Sequence, residues 1–597
     1  MCGIFAYLSE KILTTQPLHI RQMIVTEFMK LQHRGPDNSS IMTVHERYLF
    51  GFHRLSIMDT SVSGNQPFVI EYGNKKVLLL CNGEIYNYKE LKTKYNLQTK
   101  SNSDCEVILQ LYLTFLEEEM TKMDSDIKNS CMLVIYERKI IDTIISKIVK
   151  ELDGVFSFII YDERYNIMSV ARDPFGIRSL YWGYTGDCVC FSSEIKAIHN
   201  LCNDINFFPP GSYSCFSASS NEAIIVNNCK QYYSYDYEMK PFKMIKSGSK
   251  VYSENIGKLN YITHCKKNIR KKLEKAVSKR LMADREIGCL LSGGLDSSLI
   301  AGILAKELKK QNRVLHTFSI GMSGSTDLFH AKQVADHIKS NHHEIVVTKE
   351  DMLNKLKEVI YKIESWDTTT IRASTPMILL CEWIKQNTKV TVIFSGEGSD
   401  EASGSYLYFN NAPNDMEFHK ETCRLLKDLQ YFDVLRSDKS VSSAGLEVRV
   451  PFLDKEFIEY YMQIDAQFKR PNGYFTVEKH LLRDAFDNNL LPKNVLWRTK
   501  EAFSDGCSSK NDSWYSIIQK YIKNVIIPKL YKNNSKILQQ DYEEFTHEPP
   551  KFDEALYYRI IFNEYYPKAD TIIPYYWIPK WCGDIQEPSA RVLDVYN

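Results

Sequence analysis

The chain has 597 residues, enough for several domains, and its 44% hydrophobic and 25% charged residues suit a protein that buries a core. Lys plus Arg number 75 against 74 Asp plus Glu, a net charge of +1, which counts against a nucleic-acid or membrane-surface binder. No apolar run reaches the ~18 residues of a membrane span, and the 15 scattered cysteines form no CxxC pair.

Taken in chain order, the start MCGIFAYLSEK has no basic stretch ahead of its apolar residues and does not read as a secretory signal. The cysteines are therefore expected as reduced thiols in the cytoplasm, in neither a disulfide framework nor a zinc site. The first third is predicted to be β-rich and antiparallel, with short apolar runs such as Lys76–Cys81 and Phe156–Tyr161 broken by Gly, Asn and Pro. SDCE at Ser103–Glu106 has the form of a capping box and predicts a helix from Ser103. A Lys/Ile-rich stretch near Met120–Ile148 is expected as a surface helix or loop without chemistry. The FPPG turn at Phe208–Gly211 closes this region, and a Ser-, Asn- and Tyr-rich linker is expected up to about Tyr237.

The pattern then changes. Ile269, Leu273, Ala276, Val277 and Leu281 recur at helical spacing. Beyond them the β-type runs Ile287–Leu291, Val314–Ile320, Glu344–Val347 and Val390–Phe394 alternate with helical segments. Such alternation predicts a doubly wound parallel sheet, whose ligands sit at the carboxyl ends of its strands.

Two loops fall at such ends. SGGLDSS (Ser292–Ser298) follows IGCLL and leads into a helix. It lacks the lysine of a Walker loop, but Gly293 and Gly294 offer backbone N–H groups and Ser292, Ser297 and Ser298 offer hydroxyls to a phosphate. Asp296 suits Mg²⁺, which prefers one or two carboxylates beside phosphate oxygens. SGEGSDE (Ser395–Glu401) follows VTVIF, and there Asp400 is placed to share the metal while Glu397 is placed to orient an acyl acceptor or assist its adenylation. Plain helix capping and a solvated acidic turn are the alternatives. Farther on lie Asp433, Arg436, LEVRVPFLD (Leu446–Asp454) and RTKEAFSDG (Arg498–Gly506), with Lys500 a natural partner for pyrophosphate.

At the other end, Cys2 follows the initiator Met1. Removal of Met1 would put a thiol and a free α-amine on one residue, with ordinary pKa values of about 8.5 and about 8, so that the amine can take the thiol proton. HRGPD (His33–Asp37), HRLSIMD (His53–Asp59), CNGEIYN (Cys81–Asn87), SDCE and SSEIKA (Ser192–Ala197) keep it company. With MCGI, this set resembles the glutamine amidotransferase domain of the N-terminal-nucleophile hydrolases. In that reading Asn82 and Gly83 donate to the oxyanion formed on the glutamine amide. Arg54 holds the glutamine α-carboxylate, Glu84 and Asp104 its ammonium, and Leu55, Ser56, Ile57 and Met58 make further glutamine contacts. Singly, Arg54 could pair with a surface carboxylate, Asn82–Gly83 could be a hairpin turn, and Asp104 could favour a helix N-terminus.

The SGGLDSS loop resembles that of the ATP pyrophosphatases. Joined to the amidotransferase front, it makes the chain similar to the glutamine-hydrolysing asparagine synthetases. The likeness extends to EALYYRIIFNEYYP (Glu554–Pro567), YYWIPKW (Tyr575–Trp581) and EPSAR (Glu587–Arg591) near the C-terminus. It implies an α+β N-terminal-nucleophile hydrolase domain of stacked antiparallel sheets between helices over 2–210, and a linker over 211–236. An α/β ATP-pyrophosphatase domain follows over 237–570, then a tail over 571–597. It further implies L-glutamine, L-aspartate and ATP as substrates, with Mg²⁺. Leu291, Ile320, Ser395 and Gly396 would border adenine and ribose, and Glu397, Asp433 and Arg436 the aspartate and its adenylate. An apolar ammonia tunnel is expected between the sites; the oligomer, a homodimer included, is left open. Two features depart from the family's pattern. The Lys/Ile-rich stretch is longer than usual, and Gly404–Ser405, behind Ala402 and Ser403, stands where two glycines are usual, so a side chain at 405 is expected to restrict the backbone.

Competing readings fare worse. A β-lactam-synthetase-like cyclase has no use for Cys2, Asn82, Glu84 and Asp104, and a phosphoribosyl amidotransferase has none for SGGLDSS. A non-catalytic scaffold would be free to lose Cys2, Asp296, Glu397 or Lys500, yet all are present. A tRNA-modifying enzyme with a similar ATP-splitting loop would carry a basic tract.

Overall fold

Side chains alternating with period two build the N-terminal half. The computed structural model describes residues 1–9, 13, 16–122, 133–186, 188–217, 225–226, 229–242, 250–509, 512–532 and 535–593. Its first strands are β1 (Gly3–Ser9), β2 (Asn38–Val44), β3 (Tyr48–Arg54), β4 (Phe68–Tyr72), β5 (Lys75–Ile85) and β6 (Gly154–Asp162). They are followed by β7 (Ile167–Arg172), β8 (Tyr181–Thr185), β9 (Cys188–Ser192), β10 (Asp204–Phe207) and β11 (Ser212–Ser217), with the two-residue β12 (Ile225–Val226) and β13 (Lys230–Gln231). One sheet has the order β10-β8-β9-β1-β3-β2 and the other β12-β11-β7-β6-β5-β4, with β13 also on β11. All these pairings are antiparallel.

The sheets stack through Ile4, Ala6, Phe50 and Phe52 on one side and Leu78, Leu80, Ile159 and Val170 on the other. The alternate residues of β5 and β6, Val77, Leu79, Phe158 and Ile160, face outward onto two helices, α1 (Glu106–Thr121) and α2 (Leu133–Glu151). This is the expected α+β arrangement of stacked antiparallel sheets and helices.

Three local expectations need correcting. The helix after SDCE starts at Glu106 with Cys105 as an N-cap that has no side-chain cap bond. The Glu106 carboxylate instead accepts from the Lys100 and Ser101 N–H groups (2.8 and 2.7 Å), which draws it out of a capping box. The Lys/Ile-rich stretch is no surface segment where it is described. In α2, Ile141, Ile144, Ile145 and Ile148 are buried against the second sheet, and residues 123–132 lie outside the described residues. Finally, the expected linker 211–236 contributes Ser212–Ser217 to that sheet, paired with β7, and Tyr233 and Tyr235 from it stack edge-on to Phe175.

The C-terminal half carries a five-stranded, wholly parallel sheet. Its order is β16-β15-β14-β17-β18, from β14 (Glu286–Leu290), β15 (His316–Met322), β16 (Asn341–Val347), β17 (Val390–Phe394) and β18 (Glu447–Arg449). The central strands are apolar because both faces are covered. The strands β14 and β17 are neighbours, so the loops leaving their carboxyl ends, Ser292–Ser298 and Ser395–Glu401, come side by side. The first opens α3 (Leu295–Lys310), and the second opens the short α4 (Ser399–Ser403). One apolar cluster joins the halves, with Met1, Leu55, Ile57, Val155 and Ile177 in the same packed group as Leu291, Leu446, Val448 and Phe452.

Candidate active sites

Cys2 lies just ahead of β1, and both of its peptide ends are held. Its N–H donates to Asn82 Oδ1 (3.0 Å), and its carbonyl accepts from Arg34 Nε (3.0 Å). The Leu55 N–H points at Sγ from 3.4 Å, and Sγ lies 3.7 Å from the Leu55 carbonyl. Burial raises the thiol pKa, and the nearby terminal amine opposes that rise. Met1 is 1% exposed and its ammonium donates to the Leu446 carbonyl (3.0 Å), while burial pulls its pKa down to about 5. With Met1 in place the Cys2 nitrogen is a peptide N–H.

Asn82 accepts from Cys2 through Oδ1, while its Nδ2 is buried and has no hydrogen-bond partner among the described residues. Buried donors are seldom left open, and one beside a nucleophile is what a developing oxyanion requires. Neighbouring Gly83 is fixed by packing as well, since a Cβ there would lie 2.3 Å from the Val155 carbonyl of β6. The hairpin-turn alternative fails, because Asn82 and Gly83 sit inside β5, paired with Ser157 and Phe156.

Glu84 and Asp104 are both buried here. Asp104 accepts the Ile85 N–H (2.6 Å), and burial pushes its pKa up to about 6. Glu84 is raised by burial and by the charges of Glu447 and Asp104, against the pull of Arg449, whose NH2 stands 3.2 Å away. Arg449 ends β18, so a cation of the C-terminal half faces a carboxylate of the N-terminal half. Arg54 spends its fork on its own loop, donating to the Ser61 carbonyl and Asn65 Oδ1 (both 2.7 Å) and to the Met58 and Asp59 carbonyls. The 55–59 segment is sewn to the C-terminal half. Arg285 Nε donates to the Ser56 carbonyl (2.8 Å), Asp284 N–H to the Ile57 carbonyl (3.0 Å), and the Asp59 N–H to Asp284 Oδ2 (2.8 Å). Ser56 N–H donates to Asp37 Oδ2 (2.8 Å).

The second site is a cavity at the ends of β14 and β17. Leu291, Ser292, Gly294, Asp296, Ser297, Ile320, Ser395, Gly396 and Lys500 line it, as do Glu397, Asp400, Asp433 and Arg436. Two loop residues expected at phosphate are set back. Ser298 is fully buried, and Gly293 turns beneath the loop at φ +73°, where a Cβ would meet Ala331 N at 2.4 Å. Only glycine fits both the angle and the approach. Arg436 grips Glu397 bidentately (3.1 and 2.7 Å) and reaches Asp433 (2.5 Å). Even so, burial raises the Glu397 pKa.

Asp296 and Asp400 are brought together by a residue that motif reading missed. Lys479 Nζ donates to both Asp296 oxygens (2.7 and 2.6 Å) and to Asp400 Oδ1 (2.6 Å). Lys500 Nζ takes Asp400 Oδ2 (2.5 Å). The two ammonium groups hold the Asp400 pKa well below the carboxylate range, despite burial. The backbone at Lys479 is left-handed (φ +56°), which turns its side chain into the cavity ahead of a helix at His480–Ala485. A lone lysine carries no local motif; the clue was that two carboxylates in one pocket need more than one cation. Also missed were Tyr406, Arg372 and the tail residues Trp577, Ser589 and Ala590, which close the cavity. Ser405 accommodates its side chain without strain, because the left-handed residue is Gly404 (φ +61°), and Ser405 Oγ donates to Asp400 Oδ1 (2.5 Å). The expected backbone restriction falls away.

Among the described residues no group of three or more His, Cys, Asp or Glu could hold a metal ion, and no helix is long and apolar enough to cross a membrane.

Comparison with known proteins assigns both halves to families. The model of a glutamine amidotransferase domain matches residues 52–200, and that of asparagine synthase matches residues 268–417 and 410–547. The asparagine synthetase [glutamine-hydrolyzing] of Gallus gallus is 39% identical, covering 100% of this chain and 99% of its own. The Homo sapiens protein of that name is 38% identical with the same coverage, and a probable asparagine synthetase of Acanthamoeba polyphaga mimivirus is 37% identical over 100% of both chains. With both domain models matched and end-to-end similarity of this order, the chain belongs to the glutamine-hydrolysing asparagine synthetase family.

Proposed function

We propose that this enzyme makes L-asparagine from L-aspartate and ATP with nitrogen drawn from L-glutamine, through a β-aspartyl-AMP intermediate. Removal of Met1 leaves the Cys2 amine free to take the thiol proton. The thiolate attacks the glutamine side-chain carbonyl, and the oxyanion is received by Asn82 Nδ2 and the Gly83 N–H. Collapse expels ammonia, leaving a thioester that water hydrolyses to glutamate. Glu84 and Asp104 take the glutamine ammonium, and Arg54 turns from its loop carbonyls to the α-carboxylate.

In the other half the aspartate β-carboxylate attacks the α-phosphorus of ATP, and pyrophosphate leaves toward Lys479 and Lys500. Ammonia adds to the acyl carbon of the adenylate, loses a proton and expels AMP. Glu397, fixed by Arg436, lies where it can orient the acceptor. The donor set fits Mg²⁺, because two carboxylates lie close enough to share one lysine, and phosphate oxygens would complete the shell. When bound, the ion neutralises phosphate charge. Asp296 and Asp400 would hold it, with Lys479 free to move to the phosphates. The apolar ground from Leu55 and Ile57 to Val448 and Leu291 suits neutral ammonia, which would be protonated in bulk water. The free thiols among the described cysteines fit a cytoplasmic setting.

The observation that carries the reading is the meeting of Asp296 and Asp400 on Lys479, at the ends of adjacent parallel strands, in a chain whose second residue is a cysteine held by Asn82. A product assay with glutamine, aspartate and ATP–Mg²⁺ tests it. Cys2→Ala is expected to lose glutamine-driven synthesis and keep synthesis from ammonia. Glutamine still working in that variant would remove Cys2 as nucleophile, and ADP in place of AMP would refute the adenylate route.

A further inference from the structure

One helix, α5 (Asp433–Ser442), touches both centres. Its first turn supplies Asp433 and Arg436 to the wall of the ATP cavity. Its second half turns toward the N-terminal half and meets Arg34. That arginine is fully buried; two of its guanidinium nitrogens donate hydrogen bonds and the third is held by charge. Nε donates to the Cys2 carbonyl (3.0 Å). NH1 donates to Glu194 Oε1 (2.8 Å), within its own half, and to Ser442 Oγ (3.0 Å) on α5. NH2 lies 3.0 Å from Asp438 Oδ2, also on α5. Asp438 is itself 1% exposed and is oriented by Ser179 Oγ, which donates to Oδ2 (2.9 Å).

A planar guanidinium held on three edges cannot turn about its axis without breaking an ion pair. The edge that faces Cys2 is therefore set by carboxylates on the other two, and one of those carboxylates belongs to the synthetase half. The Cys2 N–H is held by Asn82 and Sγ faces Leu55, so the carbonyl is the handle on the orientation of the nucleophile that reaches across to the other half. A misplacement of order 1 Å at a reacting group can cost about 10²-fold in rate.

We propose that Asp438 is a positioning residue for the glutaminase reaction, acting across the domain boundary through Arg34 on the backbone of Cys2. This rests on the assignment of Cys2 as nucleophile. The same α5 that walls the ATP cavity thus sets the attack geometry of a thiol in the other half, and the glutaminase is built to work only when docked on its synthetase.

The test uses the full-length enzyme and three readouts: glutaminase kcat, KM for glutamine, and synthesis driven by ammonia. Wild type is measured first, beside Cys2→Ala; a wild type whose glutamine hydrolysis survives Cys2→Ala would sink the nucleophile assignment rather than this proposal. With that assignment standing, Asp438→Asn is expected to lower glutaminase kcat by about ten- to 100-fold, since the geometry of attack is lost. KM for glutamine and ammonia-driven synthesis should stay within about twofold, because uniform binding is untouched. Asp438→Glu keeps the charge but moves it by one methylene, and is expected to fall between wild type and Asp438→Asn. Alkylation of Cys2 by iodoacetamide should slow in the same order. If Asp438→Asn does not fold, the glutamate variant carries the test by the same ratio of glutamine- to ammonia-driven rates. An equal fall in both activities would overturn the proposal, as would a change confined to KM or an unchanged glutaminase.

Discussion

Each centre holds a pair of carboxylates, fully buried in the first and half-buried in the second, and the two pairs are solved in opposite ways. Glu84 pairs with Arg449, which also serves Glu447 (2.9 Å), while Asp104 has no ion pair of its own and Arg178 adds a weaker pull on Glu84. Burial wins there and both pKa values rise, Asp104 to about 6. Asp296 and Asp400 are bridged by Lys479 and flanked by Lys500, and Asp400 is driven far down although its partial burial pushes the other way. The lesson is that burial sets no sign by itself; the number of cations within reach does. The under-compensated pair sits where a cationic substrate group is expected, and the over-compensated pair where lysines must release it to phosphate and metal.

The largest effect should come from removing the nearest cation of the first pair. Arg449 is fully buried and also donates to the Arg280 and Met282 carbonyls. Arg449→Met strands Glu84 and leaves Glu447 with the more distant Arg178 (3.6 Å), and is expected to cost roughly 3–5 kcal/mol, as for other severed buried pairs. A shift of the urea midpoint of the full chain measures it. A loss below about 1 kcal/mol would mean that Glu84 is already neutral and needs no cation, and the contrast between the centres would be deeper still.

A second test titrates the same pair. The folded pKa of Asp104, about 6, lies above the ~3.9 of an unfolded aspartate. Its protonated form thus favours the fold. That contribution is complete below about pH 4 and is lost as pH rises through about 6. Substrate binding runs the other way, since the glutamine ammonium needs the ionised form. In a glutaminase assay, kcat/KM for glutamine should therefore fall by up to about tenfold per unit below pH 6. Asp104→Asn should flatten that limb at a lower plateau. A limb that survives the substitution belongs to another group, and the first pair would not be the ammonium site.

What could be read from the residues alone follows from how far apart partners lie. The runs Val390–Phe394 and Ile287–Leu291 announced parallel strands, and SGGLDSS and SGEGSDE are contiguous loops whose chemistry is local. Asn82 and Cys2 were also readable, because each lies in a short string of paired motifs. Arg449, Lys479 and Asp438 were not. Each looks like an ordinary charge in its own neighbourhood, and each takes its meaning from a partner on a different element. SDCE failed for the opposite reason, since Glu106 found better donors in the turn just before it than the capping box offered. In α2 the isoleucines at 141, 144, 145 and 148 did carry helical periodicity, which pointed to the core more truly than the lysines between them pointed to solvent.

The smallest effect tests the over-compensated pair. Ser405 Oγ gives Asp400 a third donor beside the two lysines, on Oδ1 (2.5 Å), and Ser403 Oγ donates in turn to Ser405 Oγ (3.1 Å). Two ammonium groups already neutralise Asp400, so the hydroxyl adds direction more than charge. Its loss should cost about 1 kcal/mol, the usual net worth of a hydrogen bond. Ser405→Ala removes only the hydroxyl, and the ordinary backbone at 405 accepts it without strain. Ser405→Gly adds a further ~0.4–1 kcal/mol of chain freedom to be lost on folding. KM for ATP is therefore expected to rise about fivefold in both variants, with glutaminase unchanged, while only the glycine variant loses further stability to urea. Equal KM values for wild type and Ser405→Ala would leave the lysines alone in aiming Asp400, and the second pair would then be held by charge without the help of a neutral donor.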